Sequence, residues 1–272
     1  MANGFTWHKD GSLVYLTADH LTASGLVRHG FSTRHGGVST GAVSGLNLGF
    51  KNGDEVQVLE NRRRFLTALG LDFRALVAGQ QVHGTRVAEV RAEDSGRGAR
   101  AWEEGLPATD ALITDVSGLP LSVYTADCVP LLFLDPVRPA VAAVHAGWRG
   151  SVAGIAPAAL AALRAAYDTQ PNDVLVAIGP SIGPCCYEVD EKVIVPLRSL
   201  PFWREVAVEA RPGHWYLDLW ELNRRQLLAA GVPAENIAVA RLCTSCHVKD
   251  FYSYRAEHGR TGSLAAVISL KP

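Results

Sequence analysis

The chain has no basic excess. Its 26 Lys and Arg residues stand against 27 Asp and Glu, for a net charge of −1, which argues against a protein built to grip nucleic acid. No charge block is long enough to form a tail. No uninterrupted run of about 18 apolar residues is present, so no membrane-spanning helix is expected. The opening residues, MANGFTWHKDGSLVYL, lack a basic flank followed by an apolar core, so no secretory signal is expected. Cysteines are few and odd in number, five in 272 residues. Without an export signal they read as cytosolic thiols or ligands rather than a disulfide frame. Internal repeats and low-complexity tracts are also missing. What is plentiful is apolar material, 48% of residues, enough for one large domain or two modest ones. Together these features describe a soluble cytoplasmic globular protein.

LVYL and LVRHGFSTR read as two early strands. Asp54 to Gly70 reads as a helix with Val58, Phe65, Leu66 and Leu69 on its apolar face and Arg62 to Arg64 mostly outside it. ALVAGQQVHGTRVAEV predicts strand, turn, strand, and SGRGARAWEEGLP a loop insertion rather than a domain linker. Strands then come densely in LPLSVYTADC, PLLFLD and AVAAVHAG, and the DPVRP turn between the last two predicts an antiparallel hairpin. An Ala-rich helix begins just after Arg149, with Pro157 in its first turn or kinking its start. DVLVAIGP predicts a buried strand. DLWELNRRQLLAAG predicts a helix with a capping box at Asp218 and Glu221, ending at Gly231. IAVARLC and SLAAVISL close the chain as strands. Strands outnumber helices and often adjoin, which favours an α+β fold with sheet packed on sheet over a doubly wound parallel sheet.

Three blocks carry the chemistry: GQQVHGT around His83, TADCVPLLF around Cys128 and VHAGWRG around His145. Two imidazoles and one thiolate make a three-ligand set for Zn²⁺ or copper, with a fourth position open for water or substrate. Singly, each candidate is weak. A histidine near a strand end is usually a structural residue, and a buried cysteine usually a small hydrophobe. Context strengthens the set. Gly or Ala-Gly follows each histidine, leaving room for a ligand to approach. Asp127 is a candidate to orient a ligating histidine. Arg149 begins a helix, where free N–H groups and a guanidinium together favour an anion.

The blocks STRHGG, NLG, QVHG, TADCVPLLF, HAGWRG, GPSIGPCCYEV and SYR, in this order, resemble the YfiH-like or laccase-domain family, from about Phe31 to the C-terminus. The family is variously described as polyphenol oxidases, multicopper oxidases, purine nucleoside phosphorylases and peptidoglycan editing factors. The resemblance implies a single α+β domain over residues 1–272, with packed mixed β-sheets flanked by helices, as in the CNF-type cysteine hydrolase fold. It implies a zinc or copper site at His83, Cys128 and His145, which would also be the catalytic residues. It implies phosphorolysis of adenosine, inosine and methylthioadenosine, adenosine deamination and, in some members, cleavage of a wrongly built peptidoglycan precursor. For phosphorolysis, Arg34 and Arg149, with Arg255 behind them, are the candidates to hold phosphate, and Asn47 to hold a ribose or base edge. Each arginine is equally readable as a salt-bridged structural residue. Where the family often has TGR, this chain reads Thr261, Gly262, Ser263. The expected partners are nucleosides and phosphate, without nucleic acid or membrane, and the expected state is a monomer.

Other readings compete. Cys128 and His145 can instead act as nucleophile and base, with His83 helping; zinc content or covalent trapping of Cys128 separates the two. Multicopper oxidation of phenols needs about four coppers and many more histidines than the nine present. A non-enzymatic binding module fits poorly with a full ligand set beside an arginine. Cys243, Cys246 and His247 spell the haem pattern C-x-x-C-H, but haem attachment needs export. A zinc knuckle there would need a second ligand pair, which is missing, so these read as two thiols at the end of a strand. Gly179, Ser181 and Gly183 fit G-x-S-x-G, yet Pro180 and Pro184 flank the serine where a hydrolase elbow leads into a helix. A rigid loop near the pocket is expected instead.

Overall fold

The computed structural model describes residues 4–272. The first three residues of the expected 1–272 domain, and of the opening stretch read for a signal, lie outside the described residues. Two six-stranded mixed sheets face each other. The first runs Phe5–Asp10, Leu13–Ala18, Val27–Ser32, Leu264–Leu270, Leu121–Thr125, Val77–Ala78. The second runs Ile237–Val239, Leu175–Ile178, Val129–Asp135, Ala140–Ala146, Ala111–Thr114, Val87–Glu89. The edge strands Val77–Ala78, Ile237–Val239 and Val87–Glu89 pair in parallel with their neighbours. A third, antiparallel sheet joins Glu188–Asp190, His214–Leu217 and Ala207–Arg211. Sequence patterning does not signal it, because four of the five residues in Ala207–Arg211 are exposed and leave little apolar periodicity.

Period-two alternation explains the packing. Every residue of Val129–Asp135 is buried. Val129, Leu131 and Phe133 turn to the helical side, while Leu132 and Leu134 turn to the other sheet. The hairpin partner Ala140–Ala146 sorts the same way, with Val144 outward and Val141 inward. Such an unbroken apolar run marks a strand covered on both faces. Helices Ile155–Tyr167 and Leu219–Ala229 cover the second sheet's outer face. Helix Glu55–Ala68 covers the first through Phe65 and Leu66, packed on Leu13, Ala265 and Val267. The result is four layers, helix, sheet, sheet, helix, which matches the expected mixed fold with sheet on sheet.

Helix ends follow local chemistry. Asp54 and Asp218 accept the N–H groups of Gln57 and Glu221, capping their helices. The segment after Gly147 is two helices rather than one, Trp148–Val152 and Ile155–Tyr167, because Gly154 takes a φ of 84° between them. Pro157 falls in the second helix's first turn, where its missing N–H has no helical partner to lose.

His29, in Val27–Ser32, is buried and accepts the Ala18 N–H at Nε2, 2.9 Å away. That bond requires a neutral ring. Burial first, and nearby His20 second, hold its pKa down at about 4. An unfolded histidine titrates near 6.5, so between these values the unfolded chain binds the extra proton and stability falls with pH. Urea denaturation should show about 3 kcal/mol lost from this group between pH 6.5 and pH 4. His29→Gln should flatten that slope; an unchanged slope would refute the assignment.

Candidate metal centre

His83 sits in the turn between Val77–Ala78 and Val87–Glu89. Cys128 immediately precedes Val129–Asp135, and His145 lies near the end of Ala140–Ala146, opposite Pro130. The hairpin therefore brings Cys128 and His145 to one end of the second sheet, and the turn carries His83 to them. Ligand atoms of the three residues lie within 4.8 Å of one another. The two imidazole rings meet edge to face, centroids 4.8 Å apart. Gly147 leaves space for them: a Cβ there would come within 2.6 Å of His83 Cδ2 and 3.2 Å of Cys128 Sγ. Cys128 is partly exposed, His145 buried and His83 open to solvent.

The residue that organises this cluster is Asp110, which sequence reasoning missed. Its carboxylate accepts the backbone N–H groups of Val82, His83 and Gly84 at 3.2, 2.9 and 2.8 Å. It also accepts from His145 Nδ1 at 2.8 Å, and its backbone carbonyl accepts the His145 N–H. One carboxylate thus fixes both histidine segments and leaves His145 Nε2 for the centre. It also supports the left-handed backbone of His83, φ 62°. Asp127, expected to orient a histidine, does otherwise. It accepts from Thr244 Oγ1 at 2.6 Å and from the Arg255 N–H at 2.7 Å, because its own backbone is left-handed, φ 88°, and its carboxylate is held against the 244–255 segment.

The donor chemistry fits a soft or borderline divalent ion: a thiolate and two imidazoles, one with its far nitrogen on a carboxylate. Burial pushes the Cys128 thiol up, but His145 beside it and hydrogen bonds from both histidines overcome this and hold it at about 6. Burial pushes His145 down, while the Cys128 thiolate and Asp110 raise it to about 9. Metal-free protein should therefore be alkylated at Cys128 with a half-maximal rate near pH 6; a midpoint near the free-thiol value of about 8.5 would contradict the pairing. Asp110→Asn removes the charge that His145 and three N–H groups share. Zinc affinity measured by chelator competition should fall about 10- to 100-fold; equal affinity would show that Asp110 does not orient the centre.

The three side chains open into a cavity of about 260 Å³ lined also by Phe50, Trp102, Tyr124 and Arg62. Arg62 corrects the sequence reading that put it outside the helix's apolar face. It is 2% exposed, its Nε and Nη1 donate to the carbonyls of Leu48, Gly98 and Ala99, and its guanidinium lies between the rings of Phe50 and Tyr124, 4.2 and 4.4 Å away. Among the described residues no carboxylate pairs with it and Nη2 has no hydrogen-bond partner. The i, i+4, i+7 spacing of Val58, Arg62 and Phe65 was the available signal.

The expected substrate contacts lie elsewhere. Arg34 donates to Val248 and pairs with Glu257 at 3.0 Å. Asn47 is fully buried, bonded to Gly49 and Ser263. Arg149 is exposed and stacks on Trp148 at 4.4 Å. Arg255 donates to the carbonyls of Cys186 and Glu188. None of the four lines the cavity. Ser181 is buried, accepts from Trp220 Nε1 at 2.6 Å and leads into no helix, so G-x-S-x-G here is a structural loop.

Three convergent donors and a buried arginine in the wall of one cavity make a metal-capable centre. A family model described as multi-copper polyphenol oxidoreductase laccase matches residues 28–271, and the chain belongs to that family. It is 42% identical over 247 residues to purine nucleoside phosphorylase YlmD of Geobacillus stearothermophilus, covering 88% of each chain. It is 36% identical over 229 residues to adenosine deaminase RL5 of an unknown prokaryotic organism, covering 83% of this chain and 87% of that one. The crystal structure of YlmD from Geobacillus stearothermophilus superposes with a TM-score of 0.93 at 38% identity, over 98% of this chain and 99% of that one. Among the described residues no helix is long and apolar enough to cross a membrane.

Proposed function

We propose that the chain is a metal-dependent purine nucleoside phosphorylase acting on adenosine, inosine and methylthioadenosine, with adenosine deaminase activity. The observation that carries this reading is one cavity shared by His83, Cys128 and His145 and by an arginine without an acid, Arg62. Relatives named as phosphorylases and a deaminase support it. Residues 1–272 act as a single catalytic domain, monomeric and cytoplasmic, on small molecules rather than nucleic acid or membrane. The four-layer packing supports assigning the fold to the CNF-type cysteine hydrolases.

His83, Cys128 and His145 are the residues that would hold the ion. Bound there, zinc, or copper in its place, would supply Lewis-acid polarisation to the substrate. The chain's own side chains do the rest. Phe50, Trp102 and Tyr124 offer aromatic faces to a purine. Arg62 Nη2 donates to one phosphate oxygen and so aims another at the ribose C1′. As that oxygen bonds to C1′, the bond from C1′ to the base nitrogen breaks and its electron pair leaves with the purine. Arg62 thus takes the phosphate role expected of Arg34 and Arg149. Those residues and Asn47 act at one remove. Asn47 fixes Gly49 and Ser263, and Arg34 fixes Glu257, which accepts from Thr261 Oγ1 at 2.6 Å; Gly49, Ser263 and Thr261 all line the cavity. Exposed Arg149 attracts the anionic substrate from solvent.

A second reading rests on a specific geometry. Cys128, His145 and Asp110 form a thiol–imidazole–carboxylate series, the arrangement of a cysteine hydrolase. Such an enzyme would cleave an amide, as in an aberrant peptidoglycan precursor. The test is release of hypoxanthine from inosine by the zinc-loaded protein. Release should require phosphate and fall at least about 100-fold in Cys128→Ala. Arg62→Gln should raise the KM for phosphate about 10-fold or more, with a smaller effect on inosine. Undiminished rates in Cys128→Ala would refute the centre. Trapping of Cys128 by an amide-directed electrophile, with amide cleavage surviving metal removal, would favour the hydrolase.

A further inference from the structure

The C-x-x-C pair that the sequence leaves without partners has them in the folded chain. Cys243 and Cys246 meet Cys185 and Cys186, and the four sulfurs lie within 4.8 Å of one another. Cys246 Sγ is 3.4 Å from both Cys185 Sγ and Cys186 Sγ. All four are free thiols. We propose that Cys185, Cys186, Cys243 and Cys246 form a second metal site, a closed all-sulfur site for one structural zinc ion.

The geometry favours an ion over a disulfide. A zinc tetrahedron with bonds of about 2.3 Å has sulfur–sulfur edges of about 3.8 Å. Two equal contacts from Cys246 suit an ion shared by all, whereas a disulfide would use one partner and strand the rest. The backbone is shaped for the cluster. The Gly183 N–H donates to Cys243 Sγ at 3.2 Å, a bond that offsets thiolate charge. A Cβ at Gly183 would fall 2.6 Å from the Trp220 ring and 3.2 Å from Cys243 Cβ, so only glycine lets the loop close on the turn. Four sulfurs complete the coordination of zinc and leave no position for substrate, which makes the site structural rather than catalytic.

Its effect reaches the first centre. The 181–187 loop and the 243–246 turn both hold Asp127: Ile182 N–H donates to the Asp127 carbonyl at 2.9 Å, and Thr244 Oγ1 to its carboxylate. Thr244 N–H also donates to the Ser181 carbonyl. Zinc would clip these two segments together and fix the residue that precedes Cys128.

The test removes the first centre so that its own fate does not matter. His83→Ala/Cys128→Ser protein, made with zinc supplied, should retain about one zinc per chain by elemental analysis. Adding Cys243→Ser/Cys246→Ser should abolish it. Cobalt in place of zinc should give the former variant a strong thiolate-to-cobalt charge-transfer band. A second measurement needs no variant: in the folded wild-type chain, Cys185, Cys186, Cys243 and Cys246 should resist alkylation until a chelator is added. Less than a tenth of a zinc per chain in His83→Ala/Cys128→Ser would overturn the proposal. So would alkylation indifferent to chelator, or a disulfide from Cys246 in freshly isolated protein.

Discussion

Asp110 stands at the head of the strand Ala111–Thr114, and on its carboxylate converge three backbone N–H groups and an imidazole from two segments far apart in sequence. Burying a carboxylate costs several kcal/mol. Four donors, each in a bond assisted by the carboxylate charge, offset that cost. The return is positional. His83 has no regular element to hold it and sits in a left-handed conformation; only the bonds around it keep its ring beside Cys128. His145 is held twice, by ring and by backbone. Without this carboxylate the strand end would still form, since its core is apolar. The cluster at its tip would not.

The two sheets contribute rigidity in a specific way. Cys128, just before Val129–Asp135, and His145, within Ala140–Ala146, are spaced by a hairpin register that cannot slip without moving Leu132, Leu134 and Val141 out of the packing between the sheets. His83 and Asp110, by contrast, meet through a turn. A centre with two donors on a locked hairpin and one on a turn has one adaptable wall, and His83 is also its exposed member. Substrate entry on that side disturbs the least packing.

Much of this was legible in the residues. The hairpin Val129–Asp135 with Ala140–Ala146, the helix Glu55–Ala68 and the closing strand Leu264–Leu270 follow from runs and periods that burial alone produces. The convergence of His83, Cys128 and His145 came from residue type and motif. What stayed hidden depends on where a side chain points across the fold. Asp110 lies in an ordinary strand start, and nothing local says that its carboxylate faces another turn. Cys185 and Cys186 reach Cys246 across about 60 residues, beyond any short-spacing motif. Arg62 shows a different failure. It was read with Arg63 and Arg64 as mostly outside the apolar face, although its spacing from Val58 and Phe65 places it on the buried side.

That charge is the reason the position is informative. A buried arginine is normally neutralised by an acid, because an unpaired charge in a low-dielectric setting is costly. Here three carbonyls and two aromatic faces satisfy its geometry without cancelling its charge. Lysine could not do this: a single ammonium cannot lie flat between Phe50 and Tyr124 while spanning Leu48, Gly98 and Ala99. Burial lowers the pKa of the guanidinium, yet arginine stays protonated in proteins. The cavity therefore holds a fixed positive charge that no carboxylate in its lining answers. At an effective dielectric constant of about 20, a unit anion about 4 Å away gains roughly 4 kcal/mol. Any acid built into the wall would forfeit that gain, so the missing carboxylate beside Arg62 is as much a part of the site as the carboxylate present beside His145.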